Sequence, residues 1–217
     1  MPTYKKSFLQ VRMDLLDRLK REGRSLASFT KGDTIHVHNK MVRSYTYTLS
    51  ENPGQGFAAE FRPYINPGEM LAMGVFEGKY LNDCIGEFPL EWYIGAIALD
   101  KLRPEGADIE INAFGVGSRQ PLGAWRKAGW VPGGGRDKRF GTLSDPEKNP
   151  DERGWFQWYC RYWMGRRLPE LDAIQIKRWK AFTRHAGQIK ANCKPGDLHC
   201  RPVQRQALLQ WAHNPFI

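Results

Sequence analysis

One run limits what this chain can fold into: residues 153–192, RGWFQWYCRYWMGRRLPELDAIQIKRWKAFTRHAGQIKAN. Trp155, Trp158, Tyr159, Tyr162 and Trp163 recur at i, i+3, i+4, i+7 and i+8, which gathers five large rings on one stripe of a helix. Rings of that size bury a large area each, so other elements have to cover the stripe. Leu168-Pro169 ends this helix and starts a second one that runs on to Asn192. The second helix carries Ile174, Arg178, Ala181, His185, Gln188 and Asn192 along one face. Around both lie Arg161, Arg166, Arg167, Lys177, Lys180, Arg184 and Lys190. The rings read as a packed platform that fixes these cations in place. Stacking of nucleobases on the rings is the competing use.

The rest of the chain supplies what covers the platform. Residues 7–22 are predicted to be helical, with Phe8, Val11, Leu15 and Leu19 on the apolar face and Gly23 as the stop. Alternation over 34–38, answered by VRSYTYTL (42–49) across Asn39-Lys40-Met41, predicts a hairpin, and GFAAEF (56–61) is a candidate third strand. His36 and His38 share a strand face. Without a third ligand nearby, they read as a polar sheet face rather than a metal site. Asn66-Pro67-Gly68-Glu69 combines a cap, a first-turn proline and a capping-box glutamate, and so predicts a helix start. Pro89, Pro121 and Pro202 mark three more. Residues 131–153 form a long loop rich in glycine, proline and charge, made cationic by Arg136, Lys138 and Arg139, and suited to a connector or a lid. The expected fold class is mainly α (α+β). Residues 1–63 form an N-terminal helix plus a small β-hairpin or three-stranded sheet, and 64–217 form a helical domain carrying the site.

The charge is uneven. Of a net +10, residues 151–217 contribute +7, from twelve Lys/Arg against five Asp/Glu. Such a bias favours a polyanionic partner, because cations that neutralise phosphates release counterions; a solubilising basic surface is the plainer reading. No apolar run nears the ~20 residues needed to span a bilayer, and no apolar signal core opens the chain, so the expectation is no membrane and a cytoplasmic setting. Four cysteines at this length do not indicate a disulfide scaffold. Cys193, His199, Cys200 and His213 lack the spacing of a zinc site, and structural or free thiols are expected there.

Several chemistries are missing from the sequence. It has no P-loop, no GxGxxG after a strand, no GxSxG elbow and no HExxH, so no cofactor and no metal are expected. What remains is work for carboxylates, guanidinium groups and one histidine. His185, between Arg178 and the amide residues of its stripe, is a candidate general base or a satisfied core residue. Arg166 and Arg167, at a helix end, either complement its dipole or grip phosphate bidentately; Arg161, Arg178 and Lys190 extend the phosphate-binding set. Asp83 and Glu87 precede the Pro89 helix. They either complement its N-terminus or face a cleft to hold an amine or accept a proton.

GVFEGKYLNDCIGEFPLEW (74–92), SRQPLGAWRKAGW (118–130), RGWFQWYCRYWMGRR (153–167), QIKRWKAFTRHAGQIKANCKPGDLHC (175–200) and RPVQRQALLQWAHNPFI (201–217) are long, unusual strings. Through them residues 64–217 resemble a largely uncharacterised family of phage, bacterial and some eukaryotic proteins. That family is similar to the predicted amino-acid:DNA transferases of phage thymidine hypermodification. The resemblance implies an enzyme that joins an amino acid to a 5-hydroxymethyl- or 5-phosphomethyl-pyrimidine in DNA, with DNA and a free amino acid as partners. It assigns no residue. On chemistry alone, His185 is the candidate base, Asp83 or Glu87 the amine holder, and Arg161, Arg166, Arg167, Arg178 and Lys190 the anion binders. A non-catalytic nucleic-acid-binding protein, and an enzyme on a small phosphorylated metabolite, are the alternatives.

Overall fold

Capping chemistry sets most of the helix starts. The computed structural model describes residues 7–42, 44–134 and 141–217. The Ser7 hydroxyl accepts from the Gln10 N–H and opens α1 (Phe8–Glu22), whose buried side chains are Leu15 and Leu19, while Phe8 is exposed. Asn66 and Glu69 close a reciprocal capping box on α2 (Pro67–Met73). Proline then opens or precedes α3 (Leu90–Ala98), α4 (Leu122–Lys127), α7 (Pro169–Ala181) and α9 (Pro202–Gln210). Between these lie α5 (Gly141–Ser144), α6 (Trp155–Trp163) and α8 (Thr183–Asn192). The molecule is mainly helical, as the sequence predicts.

The β element is a hairpin of two short antiparallel strands, β1 (Thr34–His36) and β2 (Thr46–Thr48), in register Ile35 opposite Tyr47. Ile35 and Tyr47 point into the core, and His36 and His38 face solvent. Residues 56–61 do not add a third strand. Gly56 sits at φ +63°, and the Ala58 N–H donates to the Tyr162 hydroxyl at 2.9 Å. The Phe61 N–H turns back to the Ala58 carbonyl, so the segment forms turns and drives the Phe61 ring inward.

The aromatic stripe of α6 is the centre of the core. Trp158, Tyr159 and Tyr162 are buried, and Phe61 meets all three and Trp179 edge-on at 4.9–5.7 Å. The N-terminal segment joins this core rather than standing beside it. Leu15, Leu19, Ile35 and Leu49 belong to the same cluster as Trp158. Glu91, in the first turn of α3, accepts from the Ser25 hydroxyl and the Leu26 N–H, and the Leu90 N–H donates to the Arg24 carbonyl. Residues 7–63 and the helices that follow therefore make one compact body.

The second long helix is broken once. Phe182 and His185 make i to i−3 backbone bonds, and the Thr183 hydroxyl donates to the Lys180 carbonyl at 2.8 Å. That side-chain competition ends α7 and restarts the chain as α8. Cys193 and Cys200, expected as structural or free thiols, form a disulfide between α8 and α9, whereas Cys84 and Cys160 are free and buried. Of the 131–153 loop, Arg136, Lys138 and Arg139 lie outside the described residues, and its far end, with Asn149 and Asp151, is buried. Among the described residues, no helix is long and apolar enough to cross a membrane.

Candidate functional site

The residues singled out in the sequence divide into two sets. The first is internal. Arg161, Arg166, Asp151 and Glu87 are each at most 2% exposed and form one network. Arg161 donates from Nε to Glu87 Oε1 at 2.6 Å, and from Nη1 to Asp151 Oδ1 and to the Pro150 carbonyl, both at 2.9 Å. Arg166 grips Asp151 bidentately at 2.9 and 2.6 Å. The glycine that precedes Arg166 makes this approach possible. Gly165 adopts φ +110°, its carbonyl accepts from the Ser50 and Glu51 N–H groups, and a β-carbon there would overlap the Glu51 carbonyl. Burial alone would lower the pKa of these guanidinium groups, but the adjoining carboxylates outweigh it and raise both above the usual arginine range. Burial likewise pushes Asp151 up, and Arg166 and Arg161 bring it below the usual carboxylate range. Two cations and two anions thus neutralise each other beneath the Tyr45 and Tyr47 rings, out of reach of an external phosphate.

Asp83 is engaged in the same way nearer the surface. Its carboxylate takes both Nη groups of Arg153 at 2.7 Å and the Lys40 N–H at 2.9 Å. Burial raises its pKa, and these bonds override it to reach about 2. Linkage then fixes a sign. A free aspartate titrates near ~3.9, so the pair stabilises the fold above that pH and the contribution disappears as pH falls through about 2. Asp83→Asn should therefore lose roughly 2 kcal/mol at pH 7 and converge with the parent protein near pH 2 in urea titrations. A constant difference across that range would rule the pair out as its source. Arg167 is committed too. It lies over the Tyr162 ring at 3.9 Å and donates to the carbonyls of Gln55, Gly56, Tyr162 and Arg166. Lys190 is exposed in the last turn of α8.

The second set opens onto a cleft of about 490 Å³. One wall comes from α7 and α8 with Arg178, Ala181, Phe182 and Arg184, and another from Ala207, Gln210 and Trp211 at the end of α9. Trp125, Trp130, Trp155 and Phe156 complete it, with Ser118 and Gln120 at its polar margin. The floor is a stack: Trp211 lies on Phe182 at 3.8 Å and on Trp155 at 4.7 Å, with the Arg178 guanidinium 5.3 Å from the Trp211 ring. Trp125 and Trp130 line the cleft without ring–ring contacts to other described residues, and a β-carbon on Gly154 would meet the Trp125 ring. A hollow of about 180 Å³ adjoins the cleft, sharing Phe76, Gln120 and Trp125 and adding Lys79 and Arg119.

Arg178 differs from every buried arginine above. Among the described residues its one side-chain hydrogen-bond partner is neutral, Gln175 Oε1 at 2.9 Å, and no carboxylate lines the cleft. Burial without an anion lowers its pKa to about 10. It remains protonated at neutral pH, in an environment that an incoming anion would relieve. His185 meets the cleft only through the Phe182 ring, at 5.2 Å. Partial burial and the neighbouring Arg184 lower its pKa, so it is a neutral imidazole at pH 7, and its buried Nδ1 has no hydrogen-bond partner. No contact joins Asp83 or Glu87 to His185. Gln210, Trp130 and Phe182 carry no signal in the sequence beyond helical spacing and apolarity. No family model, curated protein or solved structure matches this chain.

Proposed function

We propose that this protein binds nucleic acid and receives a nucleotide in the Arg178 cleft, as a DNA-base-modifying transferase. The observation that carries this reading is the pairing of tryptophan and phenylalanine walls with a desolvated guanidinium that no carboxylate among the described residues neutralises. Aromatic walls suit the planar face of a base, and an unneutralised arginine suits a phosphate or a carboxylate. Lys177, Lys180 and Arg184, exposed on α7 and α8, would follow the backbone from which the nucleotide is displaced.

In the transferase reading, the amine nitrogen of an amino acid attacks the exocyclic methylene of a 5-phosphomethyl-pyrimidine. A C–N bond forms, and the C–O bond to phosphate breaks with its electron pair leaving on phosphate. Arg178 stabilises the departing anion, and the amine proton passes to a base. His185, neutral at pH 7, is the base we favour. Asp83 and Glu87 take no part, since Arg153 and Arg161 engage them. The test is to incubate the protein with phosphomethyluracil-containing DNA and each amino acid, digest the DNA, and seek a new nucleoside by mass spectrometry. An adduct with one amino acid is expected, and its absence with all of them removes the transferase reading. Non-catalytic binding is the second reading, favoured by the position of His185 outside the cleft lining. It is the outcome if steeply salt-dependent DNA binding appears with no adduct.

A further inference from the structure

The hollow of about 180 Å³ beside the Arg178 cleft carries cations of its own. It shares Phe76, Gln120 and Trp125 with the cleft, so the two cavities form one trough with a common aromatic wall. That wall is held in place from behind. Gly154, at φ +81° ahead of α6, lets the Trp125 ring close in, and a β-carbon there would lie 2.6 Å from it. Phe76 and Glu77 take φ of +51° and +59°, a left-handed conformation that is costly without glycine. The same bend leads into Lys79, which is exposed on the hollow, as is Arg119. Among the described residues the Lys79 ammonium has no ion-pair partner, and Arg119 has only a loose one, Glu77 at 3.8 Å. Arg153 also lines the hollow but is spent on Asp83. No aspartate or glutamate among the described residues lines either cavity.

The trough therefore has cations on both sides of its aromatic wall. Arg178 and Arg184 line only the cleft, and Lys79 and Arg119 line only the hollow. A free nucleoside monophosphate carries phosphate on one side of its sugar, and would leave one of these pairs without an anion. A nucleotide inside a strand carries phosphate on both sides. We infer that the hollow is a second phosphate subsite, and that the ligand is a nucleotide internal to a nucleic-acid strand, its base out of the stack. The base lies against the aromatic wall, one flanking phosphate meets Arg178 and Arg184, and the other meets Lys79 and Arg119. This rests on the reading of the cleft as a nucleotide site. It adds the second half of the footprint, and with it a preference for a strand over a free nucleotide.

Thymidine 5′-monophosphate, 3′-monophosphate and 3′,5′-bisphosphate are the probes, since they share one base and differ only in their phosphates. Binding is followed by quenching of tryptophan fluorescence, because Trp125, Trp130, Trp155 and Trp211 all line the cleft. The intact protein should bind the bisphosphate about tenfold more tightly than either monophosphate. The double variant Lys79→Gln/Arg119→Gln should bring the bisphosphate down to the level of the monophosphates. Lys20→Gln/Arg21→Gln removes the same charge from α1, outside both cavities, and should leave the tenfold gain intact. The comparison on the unmodified protein depends on no variant, and thermal melts show whether each variant is folded. A monophosphate that binds as tightly as the bisphosphate overturns the inference and leaves the nucleotide reading of the cleft standing. So does a gain that survives in the folded Lys79→Gln/Arg119→Gln protein, or one that is lost equally in the α1 variant. Binding of none of the three removes the nucleotide reading and this inference with it.

Discussion

Asp151→Asn is expected to cost about 3–5 kcal/mol of stability, because it leaves two buried guanidinium groups facing one remaining carboxylate. For a chain of this size that corresponds to a fall of roughly 10 °C or more in the unfolding midpoint. The substitution keeps the shape of the side chain and removes only its charge and part of its acceptor capacity, so packing cannot explain the loss. The effect separates two roles for Arg161 and Arg166. If they brace the fold, stability collapses and any residual folded protein still binds nucleotide. If they were phosphate ligands, Asp151→Asn would release them, and binding would tighten with little change in melting. Scanning calorimetry beside nucleotide titration decides between these, and unchanged melting would sink the bracing role.

Arg178→Met should do the opposite on both axes. Folding places this guanidinium in a partly buried site whose one compensating side-chain bond comes from a neutral amide. Its lowered pKa means the folded state holds the proton less tightly than the unfolded chain does. Stability therefore rises as pH climbs through about 10. At neutral pH the charge is a net burden on the fold. Methionine fills a similar space on the Trp211 face without that burden, so we expect the variant to be more stable by about 1–2 kcal/mol, allowing for the partial exposure of the site. Affinity for a phosphate-bearing ligand should fall by roughly thirtyfold or more. A residue that weakens the fold while strengthening binding marks a functional site. A melt that drops while binding persists would show Arg178 to be structural.

Local physics made much of the fold legible. The Asn66–Glu69 capping box, the proline-led helices and the α6 ring stripe depend on residues three or four apart, and each appears where its spacing places it. The break at Phe182 was hidden because the apolar and polar spacing continues through it, and a single hydroxyl, that of Thr183, decides it. The candidate third strand failed for a related reason. Residues 56–61 alternate acceptably, but Gly56 and the Tyr162 hydroxyl take the backbone elsewhere. The site was less legible. Arg161 meets Glu87 across 74 residues of chain and Asp151 across 10, and nothing local distinguishes an arginine bound inward from one facing solvent. Arg178 could be named from its place on one helical face with His185, but nothing local told it apart from the inward-bound Arg161 and Arg166.

The connection between α8 and α9 is fastened more than once. Arg178 and Arg184 come from α7 and α8, and Gln210 from α9, and the connection between them carries the Cys193–Cys200 bridge. Beneath that bridge, buried Arg205 donates to the carbonyls of Asp197 and Cys200 and, beyond α9, to those of Pro215 and Ile217. The two restraints are chemically unrelated. A reductant severs one and leaves the other, since carbonyl acceptors do not respond to redox state. The α8–α9 connection is therefore held redundantly, and it should keep its shape in an oxidising and a reducing compartment alike.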